Sequence, residues 1–482
     1  MKFFLRLFFI IIFFSCSKKE NEDLKELFYN LKFDVSGNGT IDKESGEYNL
    51  RDSFTVTAIP EEGNYFDHWE GDIISEENPL IFDLNKDINL IAVFKPYPIV
   101  SSEIIKYDPK KIDNNSIFII ENGGTTAYLI DKEGNRIKTW NFESKLGNDL
   151  ELLSDGSVMG IFKPDETFFN FGGFGGVLKK YNINGDLTWE YSINSENELM
   201  HHDFTILPNG NVLTLVWERI LLKDALDNGI KRESDLFSEK IVEINPILNE
   251  IVWQWRSWEH KVQDQDINLP NYGSVSSQFG KIDFNYYPKE NGDIMHANGI
   301  YYDSNNDLIY LSVNYYSEVW VIDHSVSNEN SSSSLGDLKY RFGNPSAYKA
   351  DGERLFFNNH HPNLVELDPI TKGNFLIFMN GYEDEQSIVY ELKLPYNSFD
   401  DNDTLIPPDI LWSFTSPDLF HGKISGALRL SNGNTLICEG DFGYWEVTNE
   451  GEVVWLYDGG GETFWRGYSI TNEVKDLLIG NN

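Results

Sequence analysis

An all-β chain is predicted: a six-bladed β-propeller over residues 100–475, preceded by a small β module over 31–96. Three observations carry this. From about residue 100 two short phrases recur in alternation, and such self-similarity marks a repeat architecture. Asn-Gly and Asp-Gly turns separate alternating apolar runs, which is a strong hairpin signal. The 482 residues are 40% hydrophobic and 14% aromatic, enough large apolar side chains to fill a sizeable core and to exclude wholesale disorder.

The N-terminus reads MKFFLRLFFIIIFFSCSKKENED. Lys2 and Arg6 precede an unbroken apolar run, Leu7 to Phe14, too short to span a bilayer comfortably. Residues 1–16 resemble a bacterial lipoprotein signal, cleaved before Cys16 with lipidation of its thiol, although Phe13 stands where Leu is usual. The resemblance implies an exported bacterial lipoprotein of the outer membrane, periplasmic or surface-facing, held to the membrane through its lipid only. Residues 17–30 read as a polar tether.

Over 31–96, Phe54-Thr55-Val56-Thr57-Ala58 and Ile88 to Phe94 alternate as half-buried strands. Pro60, Gly63 and the cluster Tyr65-Phe66-Asp67-His68-Trp69-Glu70-Gly71-Asp72 lie between them, with His68 expected beside Trp69. The phrase TVTAIPEEGNYFDHWEGD with INLIAVF resembles the divergent internalin-type B-repeat, which implies a spacer or adhesion module without chemistry of its own. Asp34, Ser36, Asn38, Gly39, Ile41 and Asp42 imitate the start of an EF-hand loop. Ser45 stands where a bidentate Glu is required, so a turn is expected there and not a calcium site.

In the main domain one phrase is an apolar strand, a turn with Asp, Asn or Gly, and a strand ending in an aromatic residue. It runs from Tyr128 to Trp140, Tyr181 to Trp189, Ile241 to Trp255, Trp320 to Arg341, Val389 to Trp412 and Trp445 to Trp455. The other phrase is a hairpin: Leu150 to Phe162, Phe204 to Val216, Ile300 to Val313, Leu364 to Met379 and Ala427 to Glu439, with a degenerate first copy near Asp113. Four short strands in each of six units give the propeller, whose radial repetition protects sheet edges. The Trp residues are expected between blades.

Six of the nine histidines sit just before the first hairpin of a unit: His201, His202, His296, His360, His361 and His421. Positions equal in phase converge on one mouth of a propeller's central channel, so spacing brings the histidines of four units together. Imidazoles gathered there serve as nucleophile, proton shuttle or metal ligand. No carboxylate recurs at that phase except Asp203, so no metal is expected. His260 and His324 fall out of phase and are expected at the surface.

With 39 Lys+Arg against 77 Asp+Glu the formal net charge is −38, which excludes nucleic acid as a partner, because phosphate binding needs a basic footprint. Of the two cysteines Cys16 lies in the export signal, which excludes a disulfide framework and a Cys-based zinc site. Cys438 is expected as a buried apolar residue. The run Gly172-Gly173-Phe174-Gly175-Gly176 lacks the Lys-Ser/Thr of a phosphate loop and reads as a flexible rim loop. Residues 260–293 read as an insertion, a candidate lid.

The phrases His201-HDFTILPNGNVLTLVWE, His296-ANGIYYDSNNDLIYLSVNYYSEVWVID, His360-HPNLVELD and Ile424-SGALRLSNGNTLICEGDFGYWEVTNEGEVVW resemble the PAPS-independent arylsulfotransferase family, as does Trp465-Arg466-Gly467-Tyr468. The resemblance implies a six-bladed propeller that moves a sulfuryl group from an aryl sulfate to a phenolic acceptor through a sulfohistidine, without a cofactor. It implies His421 as nucleophile and His296 and His361 as catalytic sulfate-binding partners, with His360, His202, Asn298, Arg429 and Arg466 in contact with substrate. The chain departs from the family after Asn380-Gly381, where Tyr382 to Gln386 contain no Arg. Arg354, Arg429 and Arg466 are the candidates to replace it. The departure keeps open a second reading, a non-catalytic propeller binding a small ligand or glycan in its channel. A homodimer is left open as the assembly state.

Overall fold

The computed structural model describes residues 27–49, 53–287, 289–381, 386–400 and 404–480. The export signal with Cys16, and Tyr382 to Glu385 of the segment without the expected arginine, lie outside the described residues. The chain divides into two units, Met1–Pro98 and Ile99–Asn482.

Alternation builds the first unit. In Ile88–Pro96 the side chains of Ile88, Leu90, Ala92 and Phe94 are buried and those between them are more exposed, as a period of two on one pleated face demands. This strand pairs in parallel with Phe28–Ser36 and antiparallel with Asn64–Gly71, and Gly46–Asn49 completes the four-stranded sheet. Trp69 packs on it with Val56, Ala58 and Leu80. Phe28–Ser36 already runs through the last residues of the stretch expected as tether. Next to the buried Trp69, the His68 side chain is only partly buried. Its ring sits between Asp67 Oδ2 at 2.8 Å and Glu70 Oε1 at 3.0 Å. The EF-hand-like segment is the turn between Phe28–Ser36 and Gly39–Ile41.

The second unit is all-β and repeats one theme, a four-stranded antiparallel meander. Residues 146–192, 198–256, 297–342, 359–414 and 426–458 each form one. The first two join into an eight-stranded sheet through a single parallel pairing, Asn148 with His202. The sheet of Ser116–Glu121, Thr126–Ile130 and Arg136–Asn141 takes its fourth strand, Phe464–Ile470, from the far end of the chain. That corrects the degenerate first copy near Asp113. The hairpin is incomplete in sequence because the C-terminal strand fills the missing place.

Alternation also stacks these sheets. Val212 and Val216 share a core with Ile161 and Leu178 of the sheet before, while Leu213 and Leu215 share one with Ile309 and Leu311 of the sheet after. Likewise Phe375 and Ile377 meet Val319, and Leu376 and Phe378 meet Ile437. Such strands are buried on both faces, so they read as continuous apolar runs. Trp255, Trp320 and Trp455 fill these intersheet layers, as the sequence predicts, and Cys438 lies buried in one of them. Truncating one of these Trp side chains to Ala would cost about 3–5 kcal/mol.

Six strands contact one another in sequence: β1 (Leu146–Leu152), β2 (Glu198–Ile206), β3 (Ala297–Asp303), β4 (Asn359–Leu364), β5 (Gly426–Arg429) and β6 (Phe464–Ile470). Each lies against the next, and β6 lies against β1.

Candidate functional site

Two cavities are built on these strands. Consecutive residues divide between them: Asn148 and Asp149, His202 and Asp203, His360 and His361, Trp465 and Arg466 line the first and the second cavity respectively. A period of two produces this division. Register shifts between His201 and Phe204 and between His360 and Asn363 then re-aim individual side chains. His202, His296 and His361 hold φ of 54°, 53° and 54°, a left-handed backbone that is uncommon for non-glycine residues and clusters at functional sites.

The first cavity measures about 670 Å³. Its wall carries His202, His296 and His360, the aromatic rings of Tyr287, Tyr315 and Trp465, and the cations Lys289, Arg354 and Lys423. No carboxylate lines it among the described residues, although the chain carries a net charge of −38. Arg354 is anchored by its Nε donating to Phe356 O and its Nη2 donating to Ser317 Oγ, both at 2.8 Å.

His360 sits on β4 with a fixed tautomer. The Asn380 amide donates twice through Nδ2, to His421 O and Ile424 O at 2.6 Å each, so its Oδ1 is the acceptor. His360 Nδ1 therefore donates to that oxygen at 2.5 Å, and Nε2 keeps its lone pair. Burial, with the nearby Arg466, His296 and His421, pushes this imidazole down to about 3, so it is neutral at physiological pH.

His296 holds its Nδ1 2.5 Å from Asp293 Oδ2 and stacks on Tyr315, with ring centroids 4.8 Å apart. His202 meets His296 edge-on at 4.6 Å. His202 Nδ1 lies 2.8 Å from Nδ1 of the buried His201, whose Nε2 lies 3.0 Å from Glu239 Oε2. The glycine-rich loop is a seat for this ring more than a free rim. A Cβ on Gly173, which holds φ of +79°, would stand 1.9 Å from His202 Nε2.

The second cavity, about 430 Å³, is lined by Asp149, Glu151, Asp203 and Glu366, with one guanidinium, Arg466. Arg466 Nη1 lies 3.0 Å from Asp203 Oδ2 and 3.7 Å from Asp149 Oδ2. Trp465 Nε1 and the Tyr468 hydroxyl also donate to Asp149, at 3.1 and 2.9 Å. Burial raises Asp203, with Asp149 adding to the rise and Arg466 opposing it.

Of the residues singled out in sequence, the structure brings His202, His296, His360 and Arg354 together. The others lie elsewhere. His361 and Arg466 belong to the acidic cavity, one residue out of step with the first. Arg429 is buried against Glu391 and donates to Asn449 Oδ1 at 2.6 Å, and it lines neither cavity. Asn298 is wholly buried and ties β3 to β4 by donating to Asn359 O at 2.8 Å. His421 does not line the first cavity, although its neighbours Gly422, Lys423 and Ile424 do. Its Nδ1 accepts from the Lys423 and Ile424 amides at 3.2 and 3.1 Å, and its Nε2 lies 3.2 Å from Asp441 Oδ2.

His260 is not a surface residue: it is 1% exposed, stacked on Trp255 at 5.2 Å, with Nδ1 on Asp337. His324 is half-buried between Glu243 and Asp307. Both lie where intersheet packing supplies an aromatic or carboxylate partner, which repeat phase does not reveal. Lys289, Lys423, Tyr287 and Tyr315 were missed because they come from connections between strands. Tyr286, Tyr287 and Lys289, within the insertion, form part of the cavity wall.

The arylsulfotransferase (ASST) family model matches residues 101–392. The divergent InlB B-repeat domain matches residues 29–98. No curated protein matches the chain. Among solved structures, the periplasmic gluconolactonase PpgL of Pseudomonas aeruginosa is 10% identical with a TM-score of 0.40, over 74% of this chain and 99% of that one. The hydrazine synthase of Kuenenia stuttgartiensis is 13% identical with a TM-score of 0.34, over 70% of this chain and 80% of that one.

Proposed function

The chain belongs to the arylsulfotransferase family, and we propose that it transfers a sulfuryl group from an aryl sulfate to a phenolic acceptor through a sulfohistidine at His360. The observation that carries this reading is a cation-lined cavity with no carboxylate among the described residues of its wall, in a strongly acidic chain, entered by a neutral imidazole of fixed tautomer. The five meanders and the sheet completed by Phe464–Ile470 are read as the blades of a six-bladed propeller. The contact of β1 to β6 in cyclic order supports this. The chain is further proposed to be an exported, lipid-anchored protein of the cell envelope, on the strength of its N-terminal sequence.

In the first step the His360 Nε2 lone pair attacks sulfur, and the S–O bond to the aryl group breaks with its electron pair on oxygen. In the second step the acceptor oxygen attacks sulfur and the S–N bond breaks, returning its pair to Nε2. Arg354, Lys289 and Lys423 supply the positive field for the non-bridging oxygens, which counts for more in a partly dry cavity than in water. Tyr287 and Tyr315 offer flat apolar faces to an aryl ring. His421 is set aside as nucleophile because both its ring nitrogens are already engaged.

The test is turnover of 4-nitrophenyl sulfate by the full-length protein, with and without an added phenol. Nitrophenolate release that depends on the phenol, and is lost in His360→Asn, supports transfer. Release without phenol would make the protein a hydrolase. Binding of the sulfate without release would make it the non-catalytic ligand-binding propeller.

A further inference from the structure

We infer that His202, His201 and Glu239 form a buried proton relay, which holds the single proton exchanged between the two halves of the transfer. The inference rests on the sulfuryl-transfer reading. Transfer between two phenols needs a proton and then releases one. The departing aryl oxygen takes a proton in the first half. In the second half the acceptor gives up its O–H proton as its oxygen bonds to sulfur. A group that gives the proton and takes it back closes the cycle without solvent.

The three side chains are joined end to end. His202 lines the cavity, and its Nε2 has no hydrogen-bond partner among the described residues. Its Nδ1 is 2.8 Å from His201 Nδ1, and His201 Nε2 is 3.0 Å from Glu239 Oε2. The Ala297 amide donates to Glu239 Oε1 at 2.8 Å, which leaves Oε2 for the histidine. His201 is held flat on Trp217, with centroids 3.9 Å apart and planes 8° apart.

Two proton arrangements satisfy these contacts with neutral imidazoles. With Glu239 ionised, His201 Nε2–H donates to it, His202 Nδ1–H donates to His201 Nδ1, and His202 Nε2 presents a lone pair to the cavity. With one proton more, Glu239 O–H donates to His201 Nε2, His201 Nδ1–H donates to His202 Nδ1, and His202 Nε2 presents an N–H. The proton enters or leaves at His202, yet the charge changes only at Glu239. His202 meets substrate; Glu239 is a positioning residue that holds the proton at a distance.

Burial fits both arrangements. His201 and Glu239 are 0% exposed and His202 is 3% exposed. Desolvation lowers both imidazoles well below 6.5 and raises the Glu239 carboxyl well above 4.5. The charged and titratable groups facing the relay are Asp293 and His296 from the approach to β3, His360 on β4 and Arg466 on β6. Asp293 favours retention of the proton on Glu239, and a cationic His296 opposes it.

The first test needs no turnover. In full-length protein with ¹⁵N-labelled histidines, ring nitrogens bearing a proton or a lone pair are distinguished by NMR as pH is scanned. His201 and His202 should exchange tautomers together at one pH, and Glu239→Gln should remove that pH dependence. Exchange at two separate pH values, formation of an imidazolium at either ring, or no exchange over the whole folded range would overturn the relay. Should Glu239→Gln fail to fold, the parent titration alone decides. The second test is kinetic. Glu239→Gln should slow transfer from phenyl sulfate by about 100-fold. Its first half-reaction with 4-nitrophenyl sulfate should stay near the parent rate, because nitrophenolate leaves unprotonated. An equal loss on both donors would mark Glu239 as merely structural and overturn the relay. If no aryl sulfate turns over, the transfer reading fails while the tautomer measurement still decides the relay.

Discussion

The two cavities share four strands and differ by one residue along each, yet their chemistry is opposite. Among the described residues, one gathers three cations and three imidazoles without a carboxylate, and the other gathers four carboxylates around one guanidinium. Asn148 and Asp149, or His202 and Asp203, are adjacent in the chain and meet different electrostatic worlds. In a chain this acidic, a cation-lined cavity is made by sorting charge between the two faces of each strand, not by a basic stretch of sequence.

Four experiments set the two cavities apart. His360→Asn should lower sulfuryl transfer by about 10³-fold or more, whereas His361→Asn, one residue along and in the acidic cavity, should leave transfer near the parent rate. Initial rates with an aryl sulfate and a phenol decide this pair. Next in size, Arg466→Met strands two buried carboxylates, Asp149 and Asp203, and should cost about 3–5 kcal/mol of stability. Arg354→Gln, in the first cavity, should leave melting almost unchanged. It should instead raise KM for the aryl sulfate about tenfold, as loss of one charge-assisted contact would. Gly173→Ala should cost about 1–2 kcal/mol through its left-handed backbone alone. It should also displace the His202 ring, so activity falls more than melting temperature does.

The smallest effects are in pH dependence, and the two cavities pull in opposite directions. On the first cavity's side, His202, His360 and the neighbouring buried His201 are all lowered by burial. The unfolded chain binds their protons more readily, so stability is lost as pH falls below about 6.5. Asp203 and Glu151 are raised, Glu151 to about 8. The folded chain keeps protons that the unfolded chain has released, so stability is lost as pH climbs from about 4 toward 8. Melting temperature against pH should therefore pass through a maximum, with His360→Asn flattening the acid limb and Asp203→Asn the alkaline one.

Much of this was legible in the chain because side-chain period is a local property. Asn-Gly turns and apolar runs announce the meanders, and repeat phase announces that histidines converge. Which histidine of an adjacent pair reaches the cavity was not legible. Moving one residue along a strand swaps faces, and the register shifts at His202 and His361 decide the outcome only in three dimensions. The pair at 360 and 361 thus misleads a reading by phase. Lys289 and Lys423 come from connections whose course no periodicity encodes; of the three arginines the sequence offers as replacements, Arg354 lines the first cavity, whereas Arg429 and Arg466 are bound to carboxylates. Glu239 looks in sequence like any acidic residue of a strand; only its 3.0 Å contact with His201 distinguishes it.

The most direct measurement is the site of the covalent intermediate. Full-length protein is mixed with 4-nitrophenyl sulfate without acceptor, quenched at alkaline pH, digested, and mapped by mass spectrometry for a histidine carrying one added SO₃. The account predicts that label on His360, and its loss when a phenol is added before the quench. A label on His421 or His361, or turnover of the sulfate with no labelled histidine, would contradict it.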